Sequence, residues 1–352
     1  MQYILRHCIW KKTYDVLSYG AVGDGNADDS KVLGKVVAPK TPDAWKQCES
    51  NYWLSFSYVA NLRMNGGSGI IDGQGSSWWS NANEQKLHID DKKKCQRPKA
   101  LHFHGCHNLL LTGLTHVNSP KGHISISNCR YVYVANLTIT APEESPNTDG
   151  IDISNSNHVN IHASYIGTGD DCIAINSGCS NINITNIACG PGHGISVGSL
   201  GENGAYATVE NVSVKNCNFS RTQNGVRIKT WQGGSGYAKN ITFEQITLHA
   251  TKNPIIIDQY YCNGAHNCKN KTSAVKVSDV RYRNIQGTSA KKEAIRLDCN
   301  QFSGCRNIVM EHINITSNVP GNKGIQASCY NINGISKSTV PRVLCLQSKL
   351  VQ

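Results

Sequence analysis

The sequence is poor in large core-filling side chains. Its 352 residues include only 5 Phe and 3 Met. It has no stretch long and apolar enough to cross a membrane. It has no C-x-x-C pair, and Cys262 and Cys268 lack a second pair at zinc-finger spacing. Acids are also sparse, 24 Asp+Glu against 35 Lys+Arg. Residues Met1 to Trp10 include Arg6, His7 and Cys8 and lack the apolar run of a signal peptide. Either the secretion signal is missing from this chain or export takes another route. The glycine-rich stretch Gly66–Gly75 lacks the Gly-Lys-Ser/Thr ending of a phosphate loop and is followed by no helical pattern, so its glycines read as turns. These absences argue against a helical bundle, a membrane-spanning protein, a zinc module and a nucleotide-binding loop.

What is abundant points to strands and turns. There are 32 Gly, and Val, Ile, Asn, Ser and Thr recur in short alternating runs. The formal net charge of +11 calls for an acidic partner. No helix-turn-helix, zinc-finger or RNA-binding signature accompanies the basic residues, so nucleic acid is disfavoured, while an anionic membrane, an acidic polysaccharide and a scattered solvated surface charge stay open. The 15 Cys suggest an oxidising compartment. An odd count leaves at least one thiol unpaired or paired outside the chain. Asn-x-Ser/Thr acceptors at Asn136, Asn183, Asn211, Asn218, Asn240, Asn270 and Asn314 give secretion weak support in so Asn-rich a chain.

From Leu101 onward the pattern is regular. Short alternating strands begin near an asparagine or glycine and repeat with a mean spacing of about 28 residues. One such unit cannot bury its apolar face alone, so units must stack. The expected architecture is an all-β, right-handed parallel β-helix forming a single domain over 1–352. Ile and Val should point inward, and buried Asn at turns, such as Asn181 and Asn240, should form amide ladders. Residues 1–12 should be irregular, and Asp28, Asp29 or Ser30 should cap a short N-terminal helix through Gly34. Trp78 and Trp79 fit either a sugar groove or core packing.

Four clusters stand out: Asn147-Thr148-Asp149-Gly150, Gly169-Asp170-Asp171-Cys172, Gly192-His193-Gly194 and Arg227-Ile228-Lys229. They recur at roughly one coil length. Neighbouring strands lie about 4.8 Å apart, so stacking would gather their ionisable groups on one outer patch. Val226 and Ile228 point inward, so Arg227 and Lys229 point outward. The acids fit less simply. Asp149 shares parity with Ile151, and Asp171 with Ile173, so exposure of either requires a bend at Gly150 or at the Gly169 turn. Three close carboxylates repel one another, which raises at least one pKa and sets a general acid beside a general base. Calcium is the competing use of clustered carboxylates, but Arg227, Lys229 and His193 already balance the charge. The reading requires no metal and no cofactor.

These four clusters, in this order, resemble the signature motifs of the polygalacturonases, and the chain is most similar to their plant branch over roughly residues 12–350. The resemblance implies hydrolysis of α-1,4-linked galacturonan with inversion. It implies Asp170 as the acid that protonates the leaving oxygen and Asp149 with Asp171 as the pair that activates water. Inversion implies an acid–base separation of about 6.5–9.5 Å. His193 would set the protonation and orientation of the acids. Arg227 and Lys229 would bind the substrate carboxylate, Tyr261 would contact substrate, and Asn147 would position substrate or an acid. Cys172–Cys189 resembles the disulfide beside the family's site, and Cys262–Cys268, Cys299–Cys305 and Cys329–Cys345 are plausible further bridges. The front departs from the family. Lys35 runs straight into Val36 where plant relatives carry a few tens more residues, so the first coils should be shortened around 35–36, with Cys8 or Cys48 left without a partner. The implied partner is polygalacturonate or pectin, outside the cell, bound by a monomer with no membrane attachment. A pectate lyase, a rhamnogalacturonan hydrolase and a non-catalytic pectin-binding wall protein stay open as alternatives.

Overall fold

A computed structural model describes residues 34–41, 44–45, 51–79, 96–262, 268, 271–319, 321 and 324–346. The proposed N-terminal cap at Asp28–Ser30, and Cys8 and Cys48, lie outside them. The chain divides into two compact units, residues 1–172 and 173–352. Each is a stack of parallel coils, and the fold is a parallel β-helix.

In the first unit one sheet runs through Tyr52–Ser57, Lys99–His104, Ile124–Ser127 and Ile151–Ser154, every pair parallel. The alternation of these strands explains their register. Leu101, Ile124 and Ile151 align in one inward row, and Phe103, Ile126 and Ile153 in the next. All six are fully buried. Each such side chain contributes on the order of 2 kcal/mol relative to exposure. The outward positions on the same strands are polar: His102 and His104, Ser125 and Ser127, Asp152 and Ser154. At the start of the unit Trp45 packs edge-on against Trp53 and Trp78. Trp78 is 4% exposed, so it belongs to the core and not to a groove. The glycines of Gly66–Gly75 serve close stacking. A side chain at Gly66 would overlap the backbone of Leu114, and one at Gly73 that of Asn118.

The second unit repeats the scheme with longer strands. Ile195, Val226, Ile255 and Ile295 form one inward row, and Val197, Ile228, Ile257 and Leu297 the next. The opposing strands, such as Cys179–Cys189, Tyr206–Ser220 and Ser235–Thr251, turn corners at residues with positive φ. Asn181, Asn211 and Asn240 mark one corner, and Asn186, Asn216 and Gln245 the other. Asn tolerates this left-handed conformation better than most residues. The corner asparagines form an amide ladder: Asn211 Nδ2 donates to Asn181 Oδ1 at 3.1 Å, and Asn240 Nδ2 to Asn211 Oδ1 at 2.7 Å. The ladder is exposed, not buried as expected, because a corner in the left-handed region turns its side chain out of the coil.

Bridges Cys262–Cys268, Cys299–Cys305 and Cys329–Cys345 are present, and Cys172 and Cys189 are each disulfide-bonded. Among the described residues, Cys106, Cys129 and Cys217 are free thiols, all buried.

Candidate active site

In the first unit, two successive turns carry the aspartates. They are laced together by backbone hydrogen bonds. Gly150 N–H donates to the Asp171 carbonyl at 2.9 Å, and Ile151 N–H to the Cys172 carbonyl at 3.1 Å. Gly169 N–H donates to Thr148 Oγ1 at 3.0 Å. The glycines of the two motifs permit this approach. A Cβ at Gly150 would overlap the Cys172 carbonyl, and one at Gly169 the Ser145 carbonyl. The backbone bends at Gly150 and at Gly169–Asp170, and Asp149 and Asp170 are half-buried. Asp171 is not brought out. It stays 1% exposed, with its carbonyl held under the neighbouring turn by Gly150 N–H.

Asn147 sits at φ 57° with its amide fixed from both ends. Its Oδ1 accepts from Arg97 Nη2 at 2.7 Å, and its Nδ2 donates to Asp170 Oδ2 at 3.4 Å. Arg97 Nη1 also donates to the Pro146 carbonyl at 2.6 Å, so one guanidinium braces the whole Asn147 turn. Burial lowers the Arg97 pKa.

His123 braces the other side. Its N–H donates to the Asp149 carbonyl at 2.7 Å, and Nδ1 lies 3.1 Å from the same oxygen. Lys99 Nζ pairs with Asp152 Oδ2 at 2.6 Å. Burial opposes the Lys99 charge, but Asp152, and then Asp149, hold its pKa above the ordinary value. Sequence reasoning missed Arg97, Lys99 and His123. Arg97-Pro98-Lys99 reads as ordinary surface charge, and the one available signal for His123 was its place directly before an alternating strand.

In the second unit, His193 is half-buried between Gly192 and Gly194. Its carbonyl accepts from Asn224 Nδ2 at 3.1 Å, and a side chain at Gly194 would overlap the Asn224 and Gly225 carbonyls. On strand Asn224–Trp231, Val226 and Ile228 are fully buried and Arg227 faces outward. Arg227 Nε donates to Ser196 Oγ at 3.0 Å. Ser196 is its register partner on the preceding coil. Lys229 faces outward yet is only 8% exposed, because the Tyr261 ring lies 5.3 Å from its ammonium. Tyr261 in turn packs edge-on against Trp231 at 5.3 Å. Tyr260, the adjacent candidate, is exposed. A cation over an aromatic face, flanked by a forked guanidinium, suits a planar anion with an apolar ring face, as in a uronic acid.

Parallel coils with aspartates on laced turns and outward cations on a strand define a carbohydrate-active β-helix protein. The chain belongs to the glycosyl hydrolases family 28, whose profile matches residues 29–340. It is 44% identical to a probable polygalacturonase of Arabidopsis thaliana, over 95% of this chain and 80% of that one. It is 45% identical to a polygalacturonase of Persea americana, over 86% of this chain and 64% of that one, so it spans less than two thirds of that relative. Among solved structures, the fold is shared with the endo-xylogalacturonan hydrolase of Aspergillus tubingensis. The TM-score is 0.74 at 24% identity, over 86% of this chain and 85% of that one. The polygalacturonase of Erwinia carotovora gives 0.69 at 24% identity, over 87% and 82%.

Proposed function

We propose that this glycoside hydrolase cleaves α-1,4-galacturonosidic bonds of polygalacturonate with inversion. Asp170 gives its proton to the glycosidic oxygen as the bond from that oxygen to the anomeric carbon breaks. Asp149 and Asp171 accept a proton from water as the water oxygen bonds to that carbon from the opposite face. His193 sets the protonation and orientation of the acids. Arg227 and Lys229 hold the substrate carboxylate, Tyr261 lies along the sugar ring, and Asn147 orients Asp170.

The observation that carries this reading is the lacing of the Asn147–Gly150 turn to the Gly169–Cys172 turn. It sets Asp149 and Asp170 on consecutive coils, with Asn147 bonded to Asp170. The net charge of +11 supports a polyanionic substrate, and the disulfides support work outside the cell. The protein acts as a monomer, free of membrane.

Release of reducing ends from polygalacturonate by the wild type and by Asp170→Asn tests the assignment. General acid catalysis sets the expected loss at roughly 100- to 10,000-fold. Equal release by the two proteins would refute it.

A further inference from the structure

The first unit carries a second group of cations that the reaction above does not use. Lys121 is exposed on a bend between strands Thr115–Val117 and Ile124–Ser127. The bend is rigidly tied to the aspartate turns. The Pro120 carbonyl accepts from Arg97 Nη1 at 3.3 Å, the guanidinium that also braces Asn147. Ser119 Oγ donates to the Gly122 carbonyl at 2.9 Å, and Ser119 N–H to His123 Nε2 at 3.3 Å. His123 N–H completes the tie to the Asp149 carbonyl. Lys121 is therefore held beside Asp149 by its backbone, whatever its side chain does.

Of the three cations gathered here, two are already committed. Lys99 pairs with Asp152, and Arg97 is shared among the Pro120 and Pro146 carbonyls and Asn147. Lys121 has no hydrogen bond or ion pair among the described residues. Its pKa is lowered, first by burial and then by the charges of Lys99 and Arg97, against the smaller pull of Asp149 and Asp152. Lys121 is thus the cation of the three left to meet a ligand at this face.

We infer that Lys121 is a carboxylate-binding residue that reads the charge of an acidic sugar lying beside the Asp149 turn. The inference rests on the proposed polygalacturonate hydrolysis for the identity of the sugar. A lysine suits the task because its flexible stem follows a carboxylate presented at several ring orientations.

The test compares wild type, Lys121→Gln and Lys121→Arg, after equal thermal midpoints establish equal folding. With de-esterified polygalacturonate, Lys121→Gln should raise KM about 3- to 10-fold with kcat held within about twofold, and Lys121→Arg should restore most of the loss. With highly methyl-esterified pectin, which lacks the charge, the gap between wild type and Lys121→Gln should close. An unchanged KM would mean a solvated lysine and overturn the inference. So would an equal defect on both substrates, or a fall in kcat with a shifted acid limb, which would make Lys121 a tuner of Asp149. Binding of a galacturonate oligomer to Asp170→Asn, with and without Lys121→Gln, is read independently of turnover. Lys121-dependent binding by a chain inactive on polygalacturonate would uphold the inference and sink the hydrolysis. Hydrolysis with Lys121-independent binding would do the reverse.

Discussion

His123 can hold one neutral tautomer only. Nε2 faces the Ser119 N–H and must accept, so the ring proton sits on Nδ1 and is donated to the Asp149 carbonyl. Burial pushes this imidazole down to about 4 despite that carbonyl. His123 thus acts as a neutral two-ended strut that touches the backbone of Asp149 and leaves its carboxylate alone. His123→Leu keeps the volume but leaves the Ser119 N–H and an Asp149 carbonyl lone pair unsatisfied in a buried place. The expected cost is about 1–3 kcal/mol, read as a lower urea midpoint. Displacement of the Asp149 turn should also lower kcat more than it raises KM. A variant with unchanged kcat would show that the strut serves stability alone. None of this was visible in sequence, where a lone histidine says nothing about its two partners.

Rows of side chains in register dominate at the scale of the strands, and the sequence exposed them well. The inward Val226 and Ile228 and the outward Arg227 followed from alternation, because this strand is straight through those positions. Alternation failed where the backbone bends. It placed Asp149 and Asp171 alike, yet the structure leaves the first half-exposed and the second buried. The corner asparagines were legible as a period but not as a surface ladder, since positive φ cannot be read from spacing. One row breaks its own rule. His116 occupies an inward position between Ile71 and Ile139 on neighbouring coils. It is fully buried, both ring nitrogens lack partners among the described residues, and its ring meets His123 edge-on at 5.1 Å. An imidazole here carries desolvation cost with no hydrogen bond to offset it. His116→Ile continues the aliphatic row at similar volume and should raise stability by about 1–3 kcal/mol, measured as a higher urea midpoint at pH 7. A lower midpoint would mean that the edge-on contact with His123 outweighs the stranded nitrogens.

Across the whole chain, composition was informative about class and misleading about detail. The cysteine count pointed to disulfides, and the bridges near the C-terminus exist. Cys106, Cys129 and Cys217 instead fill core positions as small apolar groups, a use that counting cannot separate from pairing. The buried histidines have a consequence for the whole protein that composition also hides. Burial pushes His102, like His123, down to about 4, with the nearby His104 and Lys99 charges adding to the effect on His102. In the unfolded chain both titrate near 6.5. Above that pH neither state binds the proton and stability is at its full value. Between about 6.5 and 4 the unfolded chain takes up protons that the folded one refuses, so stability falls with pH. Below the folded values both states are protonated and these two histidines cause no further loss. His123 accounts for on the order of 3 kcal/mol of that fall. His102 accounts for less, because its nitrogens meet Ser55 and Ser127 hydroxyls that can turn to accept from a charged ring. Urea midpoints should therefore decline from pH 7 to pH 4, and the decline should be shallower in a His102→Asn, His123→Gln double variant even though that variant starts lower. A parallel decline in both proteins would assign the acid sensitivity to other groups, the buried His116 and the carboxylates, instead.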